Sequence, residues 1–169
     1  GQVMNFRLSR RSLTERGGVN PKMVDIVKDA MERTTQDFTV HSGLRSAREQ
    51  HALFDRGASK LDGYNRKSQH QIQSDGYGHA VDLVPYVSGA GLRWEWPLVY
   101  PIAAAMAVCA EEHGLSLRWG GVWDRRMPDY LPKRTRCLEE VASAMSDEVR
   151  AYTIRHPGPD FIDGPHYEI

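Results

Sequence analysis

The stretch HAVDLVPY, residues 79–86, is aliphatic on both sides of a single carboxylate, Asp82. A short apolar run of this kind reads as a buried strand, and Asp82 occupies a position where such a strand favours another aliphatic side chain. An ionised carboxylate there costs several kcal/mol unless a cation or a set of hydrogen bonds compensates it. Side chains alternate along a strand, so Asp82 points away from the face that carries Val81 and Leu83. The fold must therefore give this strand one apolar face and one face that supplies a partner for a carboxylate.

The rest of the chain mixes helices and strands around that run. Asn20 and Pro21 read as an N-cap and a first-turn proline, and Met23, Ile26, Val27, Ala30 and Met31 recur at helical spacing over residues 21–33. Residues 37–44, DFTVHSGL, are β-formers that end at a glycine. Ser46 and Glu49 make a capping-box pattern that opens a second helix, residues 46–56, with Gly57 as its stop. Residues 57–78 are polar and aperiodic, a long loop of the kind that is often functional. A strand at 79–86 closes at Pro85, an alanine-rich helix spans 97–112, and SLRWGGVW, residues 116–123, reads as one strand with a glycine pair. Residues 124–160 are mostly polar with one helix at 138–146. The terminal FIDGPHYEI reads as a short edge strand, because Pro165 cannot donate to a central ladder. Without regular alternation of strand and helix, the pattern favours an α+β fold with a small, mainly antiparallel sheet flanked by helices.

At 169 residues and 40% hydrophobic, the chain suits a single domain over residues 1–169, with inserted loops at about 58–77 and 124–160. Its 22 basic and 22 acidic residues cancel, so it lacks the electrostatic footprint of a general nucleic-acid binder. No apolar run approaches the ~20 residues of a spanning helix, and GQVMNFRLSRRS has no hydrophobic signal core, which argues against membrane insertion. Cys109 and Cys137 are too few and too far apart for a disulfide scaffold or a thiolate zinc site.

The candidate partners for Asp82 are among the seven histidines. His41, His51, His113 and His156 have charged or polar neighbours and read as solvated or core-satisfied side chains, leaving His70, His79 and His166. In DGPH, Asp163 and His166 stand at the two ends of one tight turn. Zinc in catalytic sites takes three protein ligands from His and Asp or Glu and keeps a fourth position open. His70, Asp82 and His166 supply that set, with Asp163 as a spare carboxylate able to act as a general base. His79 is the alternative to His70, and Asp75 the alternative to Asp82. Two histidines and a carboxylate also make an iron facial triad, although the helices here do not suit the many short strands of a jelly roll.

Four ordered motifs carry a resemblance: Ser68-Gln69-His70, then Gly78-His79-Ala80-Val81-Asp82, then Trp119-Gly120-Gly121-Val122-Trp123, then Asp163-Gly164-Pro165-His166-Tyr167-Glu168. Together with the upstream HSGLRSAREQHALFDRG they resemble the zinc D,D-peptidase family with its hedgehog-like fold, and in particular phage endolysins that are L-alanyl-D-glutamate endopeptidases. The resemblance implies Zn2+ held by His70, Asp82 and His166, Asp163 as catalytic base, and Arg45 as an active-site arginine that polarises the substrate carbonyl or holds a peptide carboxylate. It departs from the family in the eleven residues between His70 and Asp82, read here as an insertion within QIQSDGYG, and in the long segment between Trp123 and Asp163. Trp119 and Trp123 read equally as core, cleft wall or substrate platform, and Glu168 as a surface residue of the edge strand. The implied partner is bacterial peptidoglycan, cleaved by a monomer that resides in the host cytoplasm until release and then reaches the wall and periplasm. A D-Ala-D-Ala carboxypeptidase and a non-catalytic zinc-dependent wall-binding module are the rival readings.

Overall fold

The computed structural model describes residues 18–133, 136–158 and 161–169. Helix α1 (Pro21–Arg33) starts where the Asn20 side chain accepts from the Lys22 N–H, and it buries Met23, Ile26, Val27 and Ala30. Strand β1 (Phe38–Ser42) leads into α2 (Ala47–Asp55), whose capping box between Ser46 and Glu49 is formed in both directions. After the long loop come β2 (Ala80–Val87), β3 (Gly91–Leu92), α3 (Trp96–Glu112), β4 (Arg118–Trp119), β5 (Val122–Arg126), α4 (Met127–Tyr130), α5 (Leu138–Arg155) and β6 (His166–Glu168).

The strands form one antiparallel sheet in the order β1-β2-β6-β4-β5, with β3 pairing on β2. Helix α3 is apolar all round and buried at every residue from 102 to 110, the composition of a helix enclosed on all sides. It packs against α1, α5 and β2, and its run of alanines lets those neighbours approach. Phe38, Val40, Val81, Leu83, Trp119, Val122 and Tyr167 join α1, α3 and α5 in one hydrophobic cluster. Alternation then assigns the other face of the sheet to the polar side chains. Ser42 and His166 are the register partners of Asp82 on either side, so the three form one row across β1, β2 and β6. The row exists because β1 bulges between Val40 and Ser42, which brings Ser42 instead of His41 opposite Asp82.

The α+β architecture matches the expectation from sequence, and four local readings are corrected. The stretch 116–123 is a hairpin, β4 and β5 folded back at Gly120 and Gly121, where a Cβ on Gly121 would lie 2.6 Å from the Trp119 ring. The helix expected at 138–146 runs on to Arg155, since Val149 and Tyr152 continue the buried stripe begun by Val141 and Met145. β2 passes Pro85 and ends at Val87. Pro85 stands opposite Phe38, and its carbonyl accepts from the Arg93 N–H at 2.9 Å where the short β3 begins to pair. Finally, β6 is a central strand. Pro165 precedes it and needs no donor, its carbonyl accepting from the Leu83 N–H at 2.8 Å.

Candidate metal centre

Asp82 is anchored from three sides. Its Oδ1 lies 3.1 Å from His166 Nδ1 and 3.3 Å from His70 Nε2, and its Oδ2 accepts from Arg45 at 2.9 Å. Burial alone would raise this carboxyl. The hydrogen bond with His166, the contact with His70 and the charges of both rings outweigh burial and hold it far below the ordinary carboxylate range.

His70 is delivered by the long loop and fixed by backbone contacts. Its N–H donates to Ser68 Oγ at 3.1 Å and the Gln71 side chain accepts from the Ser68 N–H at 2.9 Å, so the serine and glutamine shape the turn. The His70 carbonyl accepts from the Arg45 N–H at 2.8 Å. Gly78 passes close beside it, and a Cβ there would lie a tight 3.0 Å from that carbonyl oxygen. The ring Nδ1 is 2.8 Å from the Gly43 carbonyl, which can only accept. Nδ1 therefore carries the proton, and in the neutral ring Nε2 presents a lone pair towards Asp82. That Nε2 is buried without a hydrogen-bond partner.

The tautomer of His166 is set in the same way from the other side. Its Nε2 is 2.9 Å from Glu168 Oε1, so Nε2–H donates to the carboxylate and Nδ1 faces Asp82. Such carboxylate and carbonyl acceptors behind imidazoles are the usual outer support of metal sites. In the absence of a cation, burial opposes protonation of His166, but the hydrogen bonds with Asp82 and Glu168 prevail and push it up to about 9.

Two imidazole nitrogens and a carboxylate oxygen, all from buried residues, thus lie within 4.8 Å of one another. Zinc with bonds of about 2.0–2.1 Å separates tetrahedral ligand atoms by about 3.3 Å, close to both contacts of Asp82 Oδ1. The donor set and the orphaned His70 nitrogen fit a divalent cation. A cleft of about 340 Å³ opens on this group, and Arg45, Asp163, Trp123 and Phe161 line it.

Asp163 is half-buried and reaches the cleft on the turn predicted from DGPH, closed by the His166 N–H donating to the Asp163 carbonyl at 3.0 Å. Burial, then the nearby Asp82 charge, raise its carboxyl above the ordinary value, with His166, His70 and Arg45 opposing. Gly120 lets this turn dock. A Cβ there would sit 2.0 Å from the Asp163 carbonyl oxygen. The two tryptophans brace the same segment, Trp119 Nε1 donating to the Gly164 carbonyl at 2.6 Å and Trp123 Nε1 to the Phe161 carbonyl at 2.7 Å. Trp119 is core, whereas Trp123 forms cleft wall, its ring centroid 5.2 Å from that of His166. Arg45 is held by Ser42 Oγ at 2.9 Å, Gln50 Oε1 at 3.0 Å and Asp82.

His79 stands apart from this group. Its Nε2 meets Asp75 Oδ2 at 2.7 Å on the loop side, so the alternatives to His70 and to Asp82 are engaged with each other. His113 and His156 likewise pair with Asp29 and Asp124 elsewhere on the surface. Sequence reading missed Glu168 as a partner of His166, although their separation by two in a strand puts them on one face. It also missed Ser42 and Gln50, which hold Arg45 and carry no motif of their own.

Comparison with known proteins gives a consistent picture. The chain is 26% identical over 122 residues to the L-alanyl-D-glutamate peptidase of Escherichia phage T5, covering 72% of this chain and 84% of that protein. Its structure is similar to the crystal structure of the L-Ala D-Glu endopeptidase ChiX of Serratia marcescens, with a TM-score of 0.61 and 25% identity, covering 96% of this chain and 86% of the other. The sequence model of the phage L-alanyl-D-glutamate peptidases matches residues 4–140, and on that match the chain belongs to the phage L-alanyl-D-glutamate peptidase family.

Proposed function

We propose that the protein is a zinc peptidase that hydrolyses the L-Ala-D-Glu bond in the stem peptide of bacterial peptidoglycan, as a phage endolysin. The observation that carries this reading is the buried His70, Asp82 and His166 group facing an open cleft beside Asp163. His70, Asp82 and His166 would hold the zinc, which supplies Lewis acidity to a carbonyl and to water.

The protein's own residues do the remaining work. Asp163 accepts a proton from the attacking water as the C–O bond forms, and its carboxyl, raised by burial and by Asp82, returns that proton to the leaving amine as the C–N bond breaks. Three of the five N–H groups of Arg45 are used by Ser42, Gln50 and Asp82. The guanidinium is thereby fixed at the cleft wall, where its charge favours the developing oxyanion. A non-catalytic binding module would have no use for a spare carboxylate at the mouth of such a site, and Asp163 argues against it.

The site is assembled from one chain, so a monomer is sufficient. Among the described residues no helix is long and apolar enough to cross a membrane; as an endolysin the enzyme would wait in the host cytoplasm and reach the wall after release. Digestion of purified peptidoglycan, with and without a zinc chelator, tests the reading by mass spectrometry. New C-terminal L-alanine and N-terminal D-glutamate, lost on chelation and restored by zinc, are expected. Release of free D-alanine in their place would make the protein a carboxypeptidase.

A further inference from the structure

The cleft has a second cation besides Arg45. Lys60 lines the same cavity, is exposed, and forms no ion pair among the described residues. Its neighbouring carboxylate, Asp62, is turned back on its own loop, Oδ1 accepting from the backbone N–H groups of Tyr64, Asn65 and Arg66, each at 2.9 Å.

Lys60 also sits on an unusually well-fixed turn for an exposed loop. Ser59 Oγ accepts from the Leu61 N–H at 3.1 Å, and Gln50 Nε2 donates both to that Oγ at 2.9 Å and to the Leu61 carbonyl at 3.0 Å. Gln50 is fully buried, and its other terminus, Oε1, accepts from Arg45 at 3.0 Å. One side chain therefore joins the arginine that contacts Asp82 to both residues flanking Lys60. A flexible lysine on a clamped turn is a poor structural element and a good anion contact.

The substrate chemistry supplies the anion. A D-glutamyl residue has two carboxyl groups, and linkage onward through one of them leaves the other free close to the scissile nitrogen. Arg45 is committed to Asp82, so among the described residues that line the cleft the free cation is Lys60. We propose that Lys60 is a specificity contact that binds this free carboxylate, and that Gln50 is the residue positioning it relative to Arg45. The inference rests on the endopeptidase reading above.

The test uses the zinc-loaded full chain and a product-like peptide that cannot be turned over, an N-terminal D-glutamyl peptide with its free carboxyl either ionisable or amidated. Calorimetry on the wild type is expected to show about tenfold tighter binding of the acid. Lys60→Gln should bind both peptides alike and Lys60→Arg should keep most of the preference. A Lys60→Gln variant that retains the preference, or a wild type without one, overturns the proposal. Cleavage of the intact stem peptide is scored separately. Cleavage without a Lys60-dependent preference removes this inference alone, and preference without cleavage removes the endopeptidase reading.

Discussion

At the scale of single residues, the two carboxylates of the site have opposite environments. Asp82 is surrounded by His166, His70 and Arg45 and is held as an anion, while Asp163 is pushed up by burial and by Asp82 itself. Divergent tuning of neighbouring titratable groups is how a site separates a ligand from a proton carrier. Asp163→Asn should therefore keep its zinc, read by atomic absorption, and lose about 10²–10⁴-fold in turnover. Unchanged turnover would remove Asp163 as the base. In the wild type, activity should fall on the acid side as Asp163 takes up a proton. Much of this site was legible in the sequence, because Asp82 is a misfit in an aliphatic strand and Asp163 and His166 share a tight turn. Glu168 was misread because its strand was taken for an edge. Gln50 was invisible because a glutamine on an amphipathic helix looks like any solvated polar residue until the loop that covers it is known.

At the scale of elements, the β4-β5 hairpin and the turn before β6 form one unit. The Asp163 N–H donates to the Gly120 carbonyl and the Gly120 N–H to the His166 carbonyl, both at 2.8 Å, so the glycine is stitched between the proposed base and the proposed ligand. Since a Cβ at Gly120 would lie 2.0 Å from the Asp163 carbonyl oxygen, Gly120→Ala must displace backbone and not a flexible side chain. We expect it to cost about 1–3 kcal/mol and to lower zinc content, measured by denaturant unfolding and metal stoichiometry. A variant of native stability with full zinc would show that the turn can move without consequence. The sequence signalled this glycine pair but not its role. WGGVW was read as one strand because both flanks are β-formers, whereas β4 and β5 pair with each other across the glycine pair, where the Trp119 ring leaves no room for a side chain on Gly121. Strand β6 was misplaced at an edge because Pro165 was judged as a member of the ladder, whereas the ladder begins one residue later. Helix α5 was cut short at its polar middle because its buried stripe, Val141, Met145, Val149 and Tyr152, is narrow.

At the scale of the whole molecule, the sheet divides the protein into a hydrophobic side, built on the enclosed helix α3, and a polar side that carries the proposed metal centre, and the two meet in β2 and β6. Occupancy of the centre should therefore be felt as global stability, since a ligand that binds the folded state alone stabilises it by mass action. The proton on His166 sets the direction. In the metal-free protein this imidazole is raised from 6.5 to about 9, so its protonated form contributes stability that is fully present below pH 6.5 and is lost as pH rises through 9. Zinc must displace that proton to reach Nδ1, and its affinity should accordingly rise by up to about tenfold per pH unit over the same interval. These are one linkage seen from two sides: the metal-free protein weakens with rising pH as it loses the His166 proton, while the zinc-bound protein, which has already given that proton up, stays level. The gap between their thermal midpoints should widen steadily from pH 6.5 to 9, and a gap independent of pH across that range would show that His166 Nδ1 is not a ligand.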